Sequence, residues 1–383
     1  METSSFNSPG VPPPLASPPP PVITPPLPPK PRKSRGWMIF AIILLVVLLF
    51  SLLINLTQFI SHALNFNRNF TTGVTRDVGP RLEECLLKDN DAHSKIAVIT
   101  VNGIITGHAA DQAGNNIVDV IQAQLDRAKD DDRVKAVILK VDSPGGEVMA
   151  SDEINKAISD FQEKANKPVI CSMGSLAASG GYYISAPCRW IVANDLTITA
   201  SIGVIMETLN IRNLMDKVGV EPNVYKSGKF KDMLSGMRST NEIPPEEHAM
   251  VQKLIDDTYQ KFKGVVADGR AAAHKLNKTE GRPLASNWAD FADGRVLSGT
   301  DALKYGFVDQ LGDFNDAVKT AKKIAGISSA NLVEYRESYD ISEFLRMFGQ
   351  SESASHDIKL DLGMNLPKLE AGQLYFLSPT LVN

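Results

Sequence analysis

The sequence predicts an α/β fold, a parallel sheet with helices on its faces, preceded by a single transmembrane helix. Three observations lead there. From Lys95 to Ile327, short β-branched apolar runs alternate with amphipathic stretches of helical length, the pattern of βαβ units. Two of these runs end in glycine-rich turns. Well ahead of them, residues 37–54 (WMIFAIILLVVLLFSLLI) carry no charge at all.

In chain order, 13 of the 23 prolines fall within the first 31 residues, so residues 1–36 read as an extended, disordered tail that cannot build a core. Residues 37–58 read as the anchor. A run of 18 residues and its continuation, at ~1.5 Å per residue, reach across a hydrocarbon layer of ~30 Å. Trp37 marks one interface. Lys30, Arg32, Lys33 and Arg35 precede the run, whereas only Arg68 and Arg76 follow at comparable distance. The positive-inside rule therefore places the N-terminus in the cytoplasm and the rest of the chain across the cell (inner) membrane, as a single-pass protein. Residues 59–94 are mixed and polar and read as a linker with some helix.

The regular part spans residues 95–325. Expected strands cover 96–105, 134–141, 168–173, 189–194 and 202–206, with helices over 116–129, 147–165 and 179–187. Pro244 and Pro245 followed by Glu246 and Glu247 open another long helix. Residues 326–383 form an extension of unassigned role, with one strand (NLVEYRE) and one short helix (ISEFLRMF).

A net charge of −4 and the lack of a basic stripe argue against nucleic acid as a partner. Cys85, Cys171 and Cys188 have no metal-ligand spacing and read as small hydrophobes, so no metal or cofactor is expected. Chemistry concentrates in the glycine turns, Asp142-Ser143-Pro144-Gly145-Gly146 and Gly174 through Gly181. Ser179 falls at a helix start, and Gly145 and Gly146 present unobstructed amides of the kind an oxyanion needs. By themselves, small residues in such loops are ordinarily just tight turns. Activation of a serine needs a base. None of His62, His93, His108, His248, His274 and His356 lies in a motif-like loop near these turns, and Ser179 is not in a G-x-S-x-G elbow. A desolvated lysine is the other solution, and Lys226, Lys229 and Lys231 are candidates.

SMGSLAASGGYYIS (172–185) follows VDSPGGEV and precedes TASIGV (199–204), YKSGKFKD (225–232) and ADGRVLSGTDALKYGFVDQLG (292–312). In this order the motifs resemble the signal peptide peptidase A type of serine protease, over about residues 95–325. The resemblance implies a crotonase/ClpP-like fold and a Ser–Lys dyad in place of a triad. Ser179 matches the nucleophile, Lys231 the base, Ser201 the residue that orients the lysine, and Gly146 the oxyanion hole, to which the Gly180 amide would add. It further implies a homo-oligomeric ring and membrane-associated apolar peptides, such as remnant signal peptides, as substrates. A crotonase-like acyl-CoA enzyme would share the glycine loops without needing Ser179 or Lys231. A catalytically silent membrane scaffold would share the fold alone.

Overall fold

A computed structural model describes residues 40–52, 79–108, 115–278, 280–337 and 375–377. The chain divides into two units, Met1–Arg76 and Asp77–Asn383. In the first, residues 40–52 form a helix, α1, with every residue exposed. Among the described residues no helix is long and apolar enough to cross a membrane. The remainder of the expected anchor, the Pro-rich tail and the helix expected over 341–348 lie outside the described residues.

The second unit is a mixed α/β domain whose sheet is mainly parallel. It contains β1 (Leu82–Lys88), β2 (Lys95–Asn102), α2 (Ile117–Asp130), β3 (Val134–Ser143), β4 (Gly145–Glu147), α3 (Val148–Ala165), β5 (Val169–Ala178) and α4 (Gly180–Ser185). Then follow β6 (Trp190–Ala193), β7 (Ile198–Ala200), α5 (Arg212–Val218), the long α6 (Pro245–Asn277), β8 (Val296–Ser298), α7 (Gly299–Lys304), β9 (Gln310–Leu311), α8 (Phe314–Ala325), β10 (Asn331–Glu337) and β11 (Tyr375–Leu377). The main sheet runs β1-β10-β2-β3-β5-β6-β9, with β7 paired to β5 and β8 to β7. Every pair from β10 to β9 along that path is parallel; β1 against β10 and β7 against β8 are antiparallel.

Strand periodicity decides which residues meet which layer. Side chains alternate across a strand, so Ala97, Ile99, Val137 and Leu139 join the core shared with α2, α3, α4 and α6. Their neighbours Ile96, Val98, Ala136 and Ile138 join Ala317 and Ala321 of α8 on the opposite face. Burying each larger side chain contributes about 1.5–3 kcal/mol. Helix α2 begins on a capping box in which Asn116 and Asp119 satisfy each other's backbone amides, and α8 repeats the device with Asp313 and Asp316.

Two expectations need correction. The stretch read as a linker contains β1, which pairs with β10. As an edge strand it keeps most side chains exposed, so its apolar alternation is faint. No strand occupies 202–206; β7 ends at Ala200, and Ile205 makes only an isolated bridge. Ala200 and Ser201 both adopt left-handed backbone (φ 63° and 51°), which breaks the extended run before IGVIM begins.

Helix α6 is 33 residues long, about 50 Å at the α-helical rise. Its C-terminal half buries one stripe, Phe262, Val266, Arg270, Ala273 and Asn277. Arg270 is fully buried, ion-paired with the equally buried Asp309, and donates to the carbonyls of Ala186 (3.4 Å) and Cys188 (3.0 Å) just past α4. Asp309 in turn accepts the Ile191 amide at 2.8 Å, joining α4, α6 and β6 through one charge pair. Arg270→Met strands Asp309 without its cation. The expected loss in unfolding free energy is about 3–5 kcal/mol, measured by urea unfolding of the full chain in detergent, with Arg270→Met/Asp309→Asn recovering part of it.

Candidate active site

Ser179 stands between the end of β5 and the start of α4, at the carboxyl edge of the parallel strands, where open α/β sheets bind ligands. Its backbone (φ 54°, ψ −117°) lies outside the regions an L-residue favours, a strain of about 1–3 kcal/mol. The sequence lacks the G-x-S-x-G motif, yet the chain makes the same kind of sharp strand-to-helix turn. Main-chain bonds impose it: the Ser179 amide donates to Ala200 O, and Ser179 O accepts from the Tyr183 amide, both at 2.8 Å. The turn is thus tied to the left-handed pair Ala200–Ser201, and Ser201 donates from its amide to Arg295 O (2.9 Å) and from its hydroxyl to Gly294 O (3.3 Å).

The Ser179 hydroxyl is buried and has no hydrogen-bond partner among the described residues. A buried hydroxyl left unpaired costs about 1–3 kcal/mol, so its retention here calls for a function. Its chain neighbour Gly180 packs against the glycine turn. A Cβ added at Gly180 would sit 2.7 Å from Ser151 Oγ and 3.0 Å from both Gly145 Cα and the Gly146 nitrogen. The Gly180 and Gly146 amides are therefore close neighbours, as the sequence-based assignment requires of an oxyanion hole. Ser151 was not anticipated. It is buried one turn into α3, its hydroxyl also unpaired, and only its place six residues after Gly145 hinted at proximity.

Asp142 supports the end of β5 by accepting the Leu176 amide at 3.0 Å, and Ser143 Oγ accepts the Gly145 amide at 3.1 Å. Asp152, on α3, accepts from Tyr183 Oη (2.7 Å), Lys156 (2.6 Å) and Lys261 (2.8 Å). Burial works against its charge, but these three donors hold its carboxyl below the usual carboxylate range. Burial and the adjacent Asp152 push the Tyr183 phenol well above its ordinary value, so it stays a donor. The ring of Tyr183, on α4, is thereby held in one orientation.

Lys231 is not buried, as a base in a desolvated pocket would be. It is exposed, and no hydrogen bond joins it to Ser179 within the chain. The three candidate lysines do separate. Lys226 is bound to Asp232 at 2.6 Å, and Lys229 lies 3.6 Å from Glu246, leaving Lys231 without an acidic partner among the described residues. The loop that carries it is built: Glu247, buried at the head of α6, accepts from Arg238 (2.8 Å) and the Leu234 amide (3.1 Å). Around this loop apolar side chains are left uncovered, with Leu209, Leu214, Val218 and Tyr225 exposed and no residue of α5 buried. His108 comes nearer the glycine turn than the sequence implied, with Nε2 3.2 Å from Glu147 Oε1, but it makes no bond to the Ser179 hydroxyl.

Residues 161–328 match the model of Peptidase family S49. A relative named for signal peptide peptidase SppA, from Enterococcus faecium, is 36% identical over 262 residues, covering 67% of this chain and 71% of the relative. Protease 4 of Salmonella typhi is 36% identical over 248 residues, 64% of this chain but 37% of that protein. The chloroplastic serine protease SPPA of Arabidopsis thaliana is 31% identical over 264 residues, 67% of this chain.

Chemically, a strained serine beside two convergent amides is suited to acyl transfer. A fluorophosphonate probe is expected to form its adduct on Ser179, read by peptide mass spectrometry. Gly180→Ala, which drives a methyl into the Gly146 amide, should slow labelling roughly 100-fold, the scale of a lost oxyanion donor; an adduct on another serine would refute the assignment.

Proposed function

The chain belongs to peptidase family S49, and we propose that it is a membrane-anchored serine endopeptidase in which Ser179 attacks the peptide carbonyl and Lys231 is the general base. The observation that carries this reading is the Ser179 hydroxyl, buried without a hydrogen-bond partner among the described residues, on a strained turn whose next residue, Gly180, packs on Gly145 and Gly146. Evolution of a fold does not preserve such a cost at a merely structural turn; catalysis gives it a use.

In this reading neutral Lys231 takes the Ser179 proton as Oγ bonds to the carbonyl carbon, and the amides of Gly146 and Gly180 hold the oxyanion. The proton passes to the leaving amine as the C–N bond breaks. Water, deprotonated by the same lysine, then adds to the acyl-enzyme and frees Ser179. Ser201, the residue that directly follows β7, the strand paired with the end of β5, orients the lysine.

Lys231 reaches Ser179 by association, with a neighbouring copy supplying the lysine in a ring. The exposed apolar residues around its loop and, in the N-terminal half of α6, the exposed Met250 and Leu254 support a partner surface there. A crotonase/ClpP-like architecture, an anchor formed by residues 37–58 with a cytoplasmic tail, and the protease domain at 95–325 on the far side complete the reading. Apolar, membrane-associated peptides such as remnant signal peptides are the substrates.

With the full chain in detergent and an apolar reporter peptide, Ser179→Ala and Lys231→Ala should each lower kcat/KM at least 1000-fold, the scale of a lost nucleophile or base. Mixed and allowed to exchange, the two variants should recover a measurable part of the activity, since some interfaces then pair an intact serine with an intact lysine. No recovery would place the dyad within one chain, and substantial activity in Lys231→Ala would eliminate that lysine as the base.

A further inference from the structure

Near its start, α3 buries three polar side chains, Ser151, Asp152 and Asn155. Two of them are committed to α4. Asp152 accepts from the Tyr183 phenol at 2.7 Å, and Asn155 Nδ2 donates to the Tyr183 carbonyl at 2.8 Å. Ser151 is 0% exposed, yet its hydroxyl has no hydrogen-bond partner among the described residues.

A helical serine ordinarily satisfies its hydroxyl within its own helix, by donating to the carbonyl four residues back. Ser159, further along α3, does so to Asn155 at 2.9 Å, and Ser185 of α4 does so to Gly181 at 2.7 Å. Ser151 does not use the Glu147 carbonyl in this way. Its oxygen lies instead beside Gly180, 2.7 Å from the place a Cβ on that glycine would take. The same place is 3.0 Å from the Gly146 nitrogen, so the hydroxyl and that amide approach Gly180 from one side. Alanine would fill nearly the same volume at 151 without stranding a polar group. The hydroxyl is therefore set for a partner that arrives from outside the chain.

The surroundings specify the charge of that partner. Helix α3 is 18 residues long, with no side-chain cap and no acidic residue in its first turn. Glu147, at its N-cap, spends its carboxylate on the Thr106 hydroxyl (2.7 Å) and the Gly107 amide (2.8 Å). Uncapped amides and the positive end of the helix dipole are left next to Gly146. A hydroxyl can donate or accept; in a positive field, beside an amide, it serves an atom that accepts and carries negative charge.

We propose that Ser151 is a catalytic residue, a third donor to the oxyanion alongside the amides of Gly146 and Gly180. The proposal rests on Ser179 being the nucleophile. As Ser179 Oγ bonds to the carbonyl carbon, the π pair of the C=O bond moves onto oxygen, and the Ser151 hydroxyl turns to donate to it while keeping its own proton. That hydrogen bond is released when the carbonyl re-forms, once as the amine leaves and again as Ser179 leaves. Because the hydroxyl answers charge that exists only in the transition state, its loss lowers kcat and spares KM.

The test compares wild type with Ser151→Ala, each as the full chain in detergent, on an apolar reporter peptide. The variant should lose roughly 100-fold in kcat, the scale of one oxyanion donor, with KM close to the wild-type value. A peptide aldehyde of the reporter sequence, whose serine adduct carries the same oxyanion, should inhibit the variant more weakly by a similar factor. In urea the variant should unfold at a midpoint no lower than wild type, since only an unpaired hydroxyl has been removed. A wild-type kcat in the variant, unchanged aldehyde inhibition or a loss confined to KM overturns the proposal and spares the mechanism. So does a lowered urea midpoint, which would show the hydroxyl bonded within the fold. Wild type no more active than Ser179→Ala overturns both.

Discussion

Beside Ser179, main-chain atoms of two strand ends approach more closely than any side chain would permit, and the rest of the site depends on that approach. At Gly145, Gly146 and Gly180 an added Cβ would collide with backbone or buried atoms, the worst at 1.9 Å. Remove the contact and the amides of 146 and 180 no longer converge, the β4 strand loses its bridge to Ile105, and the slot holding β11 changes width. The parallel sheet provides the setting, since β3 and β5 are adjacent and both end at this edge. What the glycines add is closeness. Only backbone without side chains lets two loops share a space that small.

The strain at Ser179 is distributed rather than isolated. Its amide is held by Ala200, Ala200 and Ser201 are left-handed themselves, and Ser201 is held by residues 294 and 295. A serine kept in such a conformation cannot relax unless β7 and the 293–295 turn move with it. Beneath, Arg270 and Asp309 clamp the far end of α4. Charge burial there is tolerated because the pair is accompanied by carbonyl acceptors and amide donors on both sides. The outcome is that α4 is held firmly in place. Its Tyr183 ring, fixed by Asp152, stacks on Phe376 of β11.

Much of this was legible in the sequence, where one residue's environment is dictated by near neighbours in the chain. Strands β2, β3, β5 and β6 and helices α2, α3, α4 and α6 follow from their periodicity, whereas β4 lies in what reads as a loop, and the Pro244-Pro245-Glu246-Glu247 run marks the start of α6 within a residue. The glycine turns pointed to the candidate site, although nothing in AASGG disclosed the strained φ of Ser179. Less legible were features whose partners lie far away. Edge strand β1 has too little apolar alternation to stand out, and the break after Ala200 depends on backbone bonds to residues 294–295. Tyr375-Phe376-Leu377 is too short to show a period. Lys231 is the extreme case: its side chain is exposed, it has no acidic partner among the described residues, and nothing in the local sequence sets it apart from Lys226 and Lys229.

The pairing of β1 with β10 has a consequence for how the molecule comes into being. Leu82 lies opposite Glu337, and Asn90 and Asn331 are hydrogen-bonded across a separation of 241 residues. Strand β10 also separates β1 from β2, though β1 and β2 are consecutive in the chain. A ribosome delivering this chain from its N-terminus thus releases β1 long before the strand that will flank it exists. The first strand must wait unpaired while β2, β3 and β5 assemble, and β10 slides in between β1 and β2 as a late step. Such long-range closure slows folding and leaves an open sheet edge in the interim. Synthesis of this domain is a period of exposure to other chains, ended only when residue 337 emerges.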